Sequence, residues 1–139
     1  MNLQIITMNI MFRIDDKLIT PQLSESILDG ITRDSIITLA KQKNIEVEER
    51  KISVNEILDY HRSGRLKEAF GVGTAVTLKP INSITFNDIN MKIRKTNQNS
   101  YSSILKNELQ GIQYGQIKDI NGWLIKLFNN FWFIKSVCD

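Results

Sequence analysis

The chain has a single cysteine, Cys138, and a single histidine, His61, in 139 residues. One cysteine excludes an intramolecular disulfide and any cysteine-based metal cluster. His61 lies in "ILDYHRSG" near a predicted helix end, where a surface or capping role is the simplest reading, and it forms no nucleophile–base dyad with Cys138. No apolar run approaches transmembrane length. The opening "MNLQIITMNIMF" is apolar but short and is closed by Arg13. It lacks a charged start and a small-residue cleavage site, so no signal peptide is read there. Charge of one sign is also scarce. The formal net charge is +3, with basic and acidic residues interleaved. The densest basic spot, Lys92, Arg94 and Lys95 in "MKIRKTNQNS", reads as a solvated face or loop. A nucleic-acid surface would need a broader stripe or a reading motif, and neither is present. The expectation is an intracellular, cytoplasmic protein with no metal, no membrane and no nucleic-acid partner.

What is present suits one domain with one modest core. In "ITMNIMFRIDDKLITPQ", Ile10, Phe12 and Ile14 alternate with Asn9, Met11 and Arg13, the period of a half-buried strand. Asp15-Asp16 followed by "KLIT" predicts a hairpin whose second arm ends at Pro21. "TRDSIITLAKQKN" predicts a helix with Thr32 as N-cap, Asp34 in the first turn, Ile36, Leu39 and Ala40 on one face and Asn44 closing it. "IEVEERKI" predicts a strand. Ser53 and Glu56 have capping-box spacing before a short helix over Ile57 and Leu58 that ends at Gly64. "LKEAF" running into "GVGT", and "AVTLKPI" stopped by Pro80, predict two more strands, and "SITFNDINMKI" a further extended stretch. "SYSSILKNELQGI" predicts a helix ended by Gly111, and "GWLIKL" a last apolar run. The aromatic tail after Leu127 fits either an extra strand or an exposed apolar patch. Helices and strands mix without strict alternation, so the fold class is α+β rather than a doubly wound sheet.

Two short stretches have the chemistry of an anion site. In "LDGITRDS", a glycine that permits close backbone approach precedes a helix start, whose unpaired N–H groups and partial positive charge suit a phosphate. In "FGVGTA", two glycines lead into Thr74 and Ala75, and such a loop can aim its N–H groups and the threonine hydroxyl at a phosphate or carboxylate. Taken singly, each also fits an ordinary N-cap or a tight strand connection.

In order along the chain, "TMNI", "LITPQLSESILDGITRDSIITLAK", "IEVEERKIS", "LKEAFGVGTAV" and "LQGIQYGQIKDINGW" resemble the branched-chain amino-acid aminotransferases, which are fold-type IV pyridoxal phosphate enzymes. The resemblance runs from about Thr7 to about Leu127. It implies the larger C-terminal domain of that fold over residues 1–127, a mixed sheet or partial barrel with flanking helices, with 1–6 less well matched and 128–139 unassigned. It implies that Gly30, Ile31 and Thr32 hold the cofactor phosphate, with Leu28 near the pyridine ring and Thr7 as another cofactor neighbour. Thr74 would add a phosphate contact and, with Ala75, whose backbone N–H faces the substrate carboxylate, bind substrate. Both stretches would then serve one pocket.

The resemblance also shows departures. The family's covalently bound, proton-moving lysine precedes the "TMN" block, and no lysine here stands in that context, so no catalytic residue is assigned. By the resemblance, the family's smaller N-terminal domain is expected to be absent. A family Glu-x-Gly precedes "TMN", where this chain has Gln4 and Ile6, and a neutral amide cannot pair with a protonated ring nitrogen. Asp29 replaces a proline before "GITR". Val76 and Lys79 stand where some members carry a redox cysteine pair. Three expectations remain open. The first is part of an enzyme moving amino groups between leucine, isoleucine or valine and 2-oxoglutarate, incompetent alone. The second is a non-catalytic phosphate-binding or interaction domain, and the third a truncated gene product. The family also implies an amino acid or 2-oxo acid as partner and a homodimer.

Overall fold

The computed structural model describes residues 9–21, 31–73, 77–128 and 131–134. Its centre is a five-stranded sheet in the order β3-β2-β1-β4-β5. β1 (Asn9–Ile14) and β2 (Lys17–Thr20) form the predicted hairpin around Asp15, which takes a positive φ of 52° at the tight turn. β4 (Leu66–Gly73) pairs antiparallel with β1, and β5 (Thr77–Pro80) antiparallel with β4. β3 (Val47–Glu49) is short and parallel to β2. Pro80, which lacks an N–H, is tolerated because β5 is an edge strand. The single parallel pair among antiparallel ones makes the fold α+β, as the lack of strict alternation predicts.

The parallel pair requires a crossover, and α1 (Ile31–Gln42) supplies it. Thr32 therefore differs from expectation: it lies inside the first turn of α1 and is not the N-cap. Asn44 does close the helix, at φ 62°, while the Ile45 N–H donates back to the Ala40 carbonyl at 2.9 Å. α1 and α3 (Tyr101–Gln113) cover one face of the sheet, where Ile36, Leu39 and Leu109 pack on Met11, Phe70 and Val72. The other face carries Ile10, Phe12 and Ala69 and is covered by α2 (Val54–Arg62) and the hairpin of β6 (Ser83–Phe86) and β7 (Ile89–Lys92), through Ile57 and Met91. Ser53 caps α2 by accepting from the Glu56 N–H at 3.1 Å, but the Glu56 carboxylate turns to Arg50, so only half of the capping box forms.

Two further expectations are corrected. "SITFNDINMKI" is a hairpin, β6 (Ser83–Phe86) and β7 (Ile89–Lys92), rather than one extended stretch. Asn87 and Asp88 both take positive φ, 46° and 63°, the requirement of a two-residue hairpin turn. α3 does not end at Gly111 but runs on to Gln113, with Gly115 at φ 77° just beyond its end. Gly111 is glycine for a packing reason: a Cβ there would lie 2.5 Å from Cδ1 of Ile117. The last apolar run pairs with part of the aromatic tail, as β8 (Leu124–Phe128) and β9 (Phe131–Ile134).

One irregularity shifts the sheet's two faces. Between Arg13 and Ile14 the β1–β4 register slips, leaving Lys67 as the extra residue of a bulge. Leu66 consequently joins the α2 side of the core, while Glu68 faces α3.

Candidate phosphate site

Strand directions fix which ends of the elements meet. β1 begins, and β2, β3 and β4 finish, at one end of the sheet, where β5 also begins. The start of α1 is tied to that same end. Arg33, in its first turn, donates from Nη2 to the Pro21 carbonyl at 3.1 Å and pairs with Glu49 Oε1 at 3.0 Å. Pro21 follows the last residue of β2 and Glu49 is the last residue of β3. At this end Gly73 of β4 faces Thr77 of β5. The first turn of α1 and the facing pair Gly73 and Thr77 therefore lie at one end of one sheet.

Of the residues that the sequence singles out, Ile31 and Thr32 are described: Ile31 is the first residue of α1, and Thr32 is buried behind it. Thr7, Leu28, Gly30, Thr74 and Ala75 lie outside the described residues, as do Gln4, Ile6, Asp29 and Val76. Lys79, on β5, is exposed.

Arg33 was not singled out from the sequence. Its side chain is 1% exposed, and Nε and Nη1 have no hydrogen-bond partner among the described residues. Nη1 is 3.7 Å from Asp34 Oδ1, beyond hydrogen-bond reach. A buried guanidinium with unanswered N–H groups, beside the positive end of a twelve-residue helix, favours an anion. The only sequence signal for it is its place three residues after a glycine at a helix start. The local chemistry fits a phosphate group.

Comparison with known proteins now decides the family. The model of amino-transferase class IV matches residues 5–84, more than half of the chain. This chain belongs to the class IV aminotransferases. A relative in Bacillus subtilis (strain 168), branched-chain-amino-acid aminotransferase 2, is 39% identical over 117 residues, which cover 84% of this chain and 32% of the relative. A probable branched-chain-amino-acid aminotransferase of Staphylococcus aureus (strain N315) is 41% identical over 119 residues, 86% of this chain and 33% of the relative. This class IV chain thus spans about a third of the length of these curated relatives. Among solved structures, the Escherichia coli branched-chain amino acid aminotransferase matches with a TM-score of 0.67 and 29% identity, over 86% of this chain and 36% of that one. The PLP-form enzyme of Thermobaculum terrenum matches with a TM-score of 0.62 and 30% identity, over 80% and 33%. Class IV aminotransferases are pyridoxal phosphate enzymes. The α+β class IV fold expected from the resemblance is the fold observed.

Among the described lysines of this class IV chain, Lys17 is the instructive one. Its ammonium donates to Glu48 Oε1 at 2.9 Å, which raises its pKa above the ordinary lysine value. An amine that must attack a carbonyl needs the opposite shift. Lys17 also begins β2, at the end of the sheet away from Pro21.

Proposed function

We propose that this chain forms the phosphate-holding part of a pyridoxal phosphate-dependent branched-chain aminotransferase, exchanging amino groups between leucine, isoleucine or valine and 2-oxoglutarate. The observation that carries the reading is the tie from Arg33 to Pro21 and Glu49, which sets the first turn of α1 at the sheet end where β4 and β5 meet. In this reading Gly30, Ile31 and Thr32 hold the phosphate with backbone N–H groups and a hydroxyl, and Thr74 adds a contact from the β4–β5 junction. Leu28 and Thr7 flank the ring, and Thr74 and Ala75 receive the substrate carboxylate, Ala75 through its backbone N–H. Arg33, paired with Glu49 and bonded to the Pro21 carbonyl, keeps the α1 start in place. The bound cofactor would supply the electron sink for breaking the bond to the α-hydrogen. These residues do the binding and orienting, and no residue of the chain is assigned the proton transfer. A cytoplasmic location and a homodimer accompany the proposal, by the family's pattern. Among the described residues no helix is long and apolar enough to cross a membrane.

Calorimetric titration of the chain with pyridoxal phosphate tests the reading. We expect saturable binding that Thr32→Ala weakens about three- to tenfold, the scale of one lost hydrogen bond of about 1 kcal/mol, and that Thr32→Ser restores. No transamination of leucine is expected from the chain alone. Absence of binding, or robust turnover by the chain alone, would overturn it.

A further inference from the structure

A cluster of cations lies at the other end of the sheet. Arg13 near the end of β1, Lys67 near the start of β4, and Arg94 and Lys95 after β7 line one open pocket of about 390 Å3. Lys67 and Gly73 stand near opposite ends of β4, about 20 Å apart at roughly 3.3 Å per residue, so this pocket is separate from the α1 start. Four cations face a single carboxylate, Glu68, in its lining.

That carboxylate is already committed. Glu68, 4% exposed, accepts from the Tyr101 N–H at 2.8 Å, the Ser102 N–H at 3.2 Å and the Ser102 hydroxyl at 3.0 Å, and from Arg13 Nη1 at 3.1 Å. It therefore occupies the N-terminus of α3 and balances Arg13, and neither is left for a ligand. Lys67, Arg94 and Lys95 have no ion-pair partner among the described residues. The exposed Asn97 and Asn99 add neutral donors to the same wall.

We infer that this pocket binds a diphosphate group, free or as an ester. A single phosphate carries about −2 at most, which leaves one of three unpaired cations unmatched, whereas two linked phosphates match all three. The bulge at Lys67 makes the site: without the extra residue, its side chain would follow the ordinary strand alternation set by Leu66 and Glu68.

Titration of the isotope-labelled chain with inorganic pyrophosphate, followed by amide NMR shifts, reads the site directly. We expect saturable shifts at Asn97, Asn99 and Ser100, weakened at least tenfold in Lys67→Gln/Arg94→Gln/Lys95→Gln and unaffected in the surface control Lys41→Gln/Lys106→Gln. If Lys67→Gln perturbs the bulge, the Arg94→Gln/Lys95→Gln double variant should still weaken binding about threefold or more. A nucleoside diphosphate binding more tightly than pyrophosphate assigns the group to an ester, and equal affinity assigns it to the free ion. No saturation, equal loss in the control variant, or shifts confined to the α1 start would overturn the inference.

Discussion

At Glu68 one carboxylate accepts from two backbone amides, a hydroxyl and a guanidinium, while Arg13 also lies over the Tyr101 ring at 3.8 Å. Charge-assisted hydrogen bonds of this kind are about twice as strong as neutral ones. Glu68→Gln keeps the shape but gives up the charge and turns one acceptor into a donor. It should cost about 1–3 kcal/mol, seen as a lower urea midpoint with unchanged slope. Gly111 offers a test of opposite sign. Alanine there gains about 1 kcal/mol of helix propensity but meets Ile117 Cδ1 at 2.5 Å. Gly111→Ala should therefore destabilise the wild-type chain by about 1 kcal/mol or more, yet stabilise an Ile117→Ala background. A double-mutant cycle in chemical denaturation measures that reversal. The sequence shows neither role. "LKEAF" reads as a strand because nothing in the letters marks the bulge at Lys67, and a glycine near a helix end reads as a stop when its neighbour in space, Ile117, is not known.

Among the elements, β2, β3 and α2 are joined by a charged chain. Lys17 donates to Glu48 at 2.9 Å, and Arg50 donates to Glu48 at 3.0 Å and forks onto both oxygens of Glu56 at 3.0 and 2.6 Å. Arg50 holds Glu56 below the ordinary carboxylate value of 4.5, and Lys17, then Arg50, do the same for Glu48. Because the folded values are depressed, this stabilisation is full above about 4.5 and is lost as pH falls through the folded values. Lys17 shifts the other way. Its share is full below 10.5 and is lost as pH rises through its raised folded value. Thermal unfolding across acid pH should show a decline beginning below about 4.5, and Glu56→Gln should flatten part of it. The partners are about one-third exposed, so each pair is worth only about 0.2–1 kcal/mol. Most elements were legible. Alternation gave β1 but not its burial, since Met11 on the supposedly open face is buried under α1 and α3; the Asp15-Asp16 turn gave β2, and apolar spacing with Asn44 gave α1. The β6–β7 hairpin was missed because Asn87-Asp88 lacks the glycine that usually signals such a turn.

For the whole molecule, the proposed site was legible in the sequence as two fragments but not as one place. The glycine-led helix start and the "GVGTA" stretch each suit an anion in sequence, yet only the strand directions put the α1 first turn and the Gly73–Thr77 pair at the same end of the sheet. Arg33 was invisible because burial of a guanidinium is decided by what closes over it, here Pro21 and Glu49. Removing that charge should loosen the whole arrangement. Arg33→Ala removes a buried side chain and its bond to the Pro21 carbonyl, while the half-exposed Glu49 is left to solvent; the expected cost is about 2–3 kcal/mol, mostly from the cavity, readable as a fall in melting temperature. Amide NMR shifts during titration with pyridoxal phosphate test the central claim most directly. The account predicts that signals from residues 31–33 and from Gly73 and Thr77 move together, with one common dissociation constant. Movement of one group while the other stays fixed would contradict it.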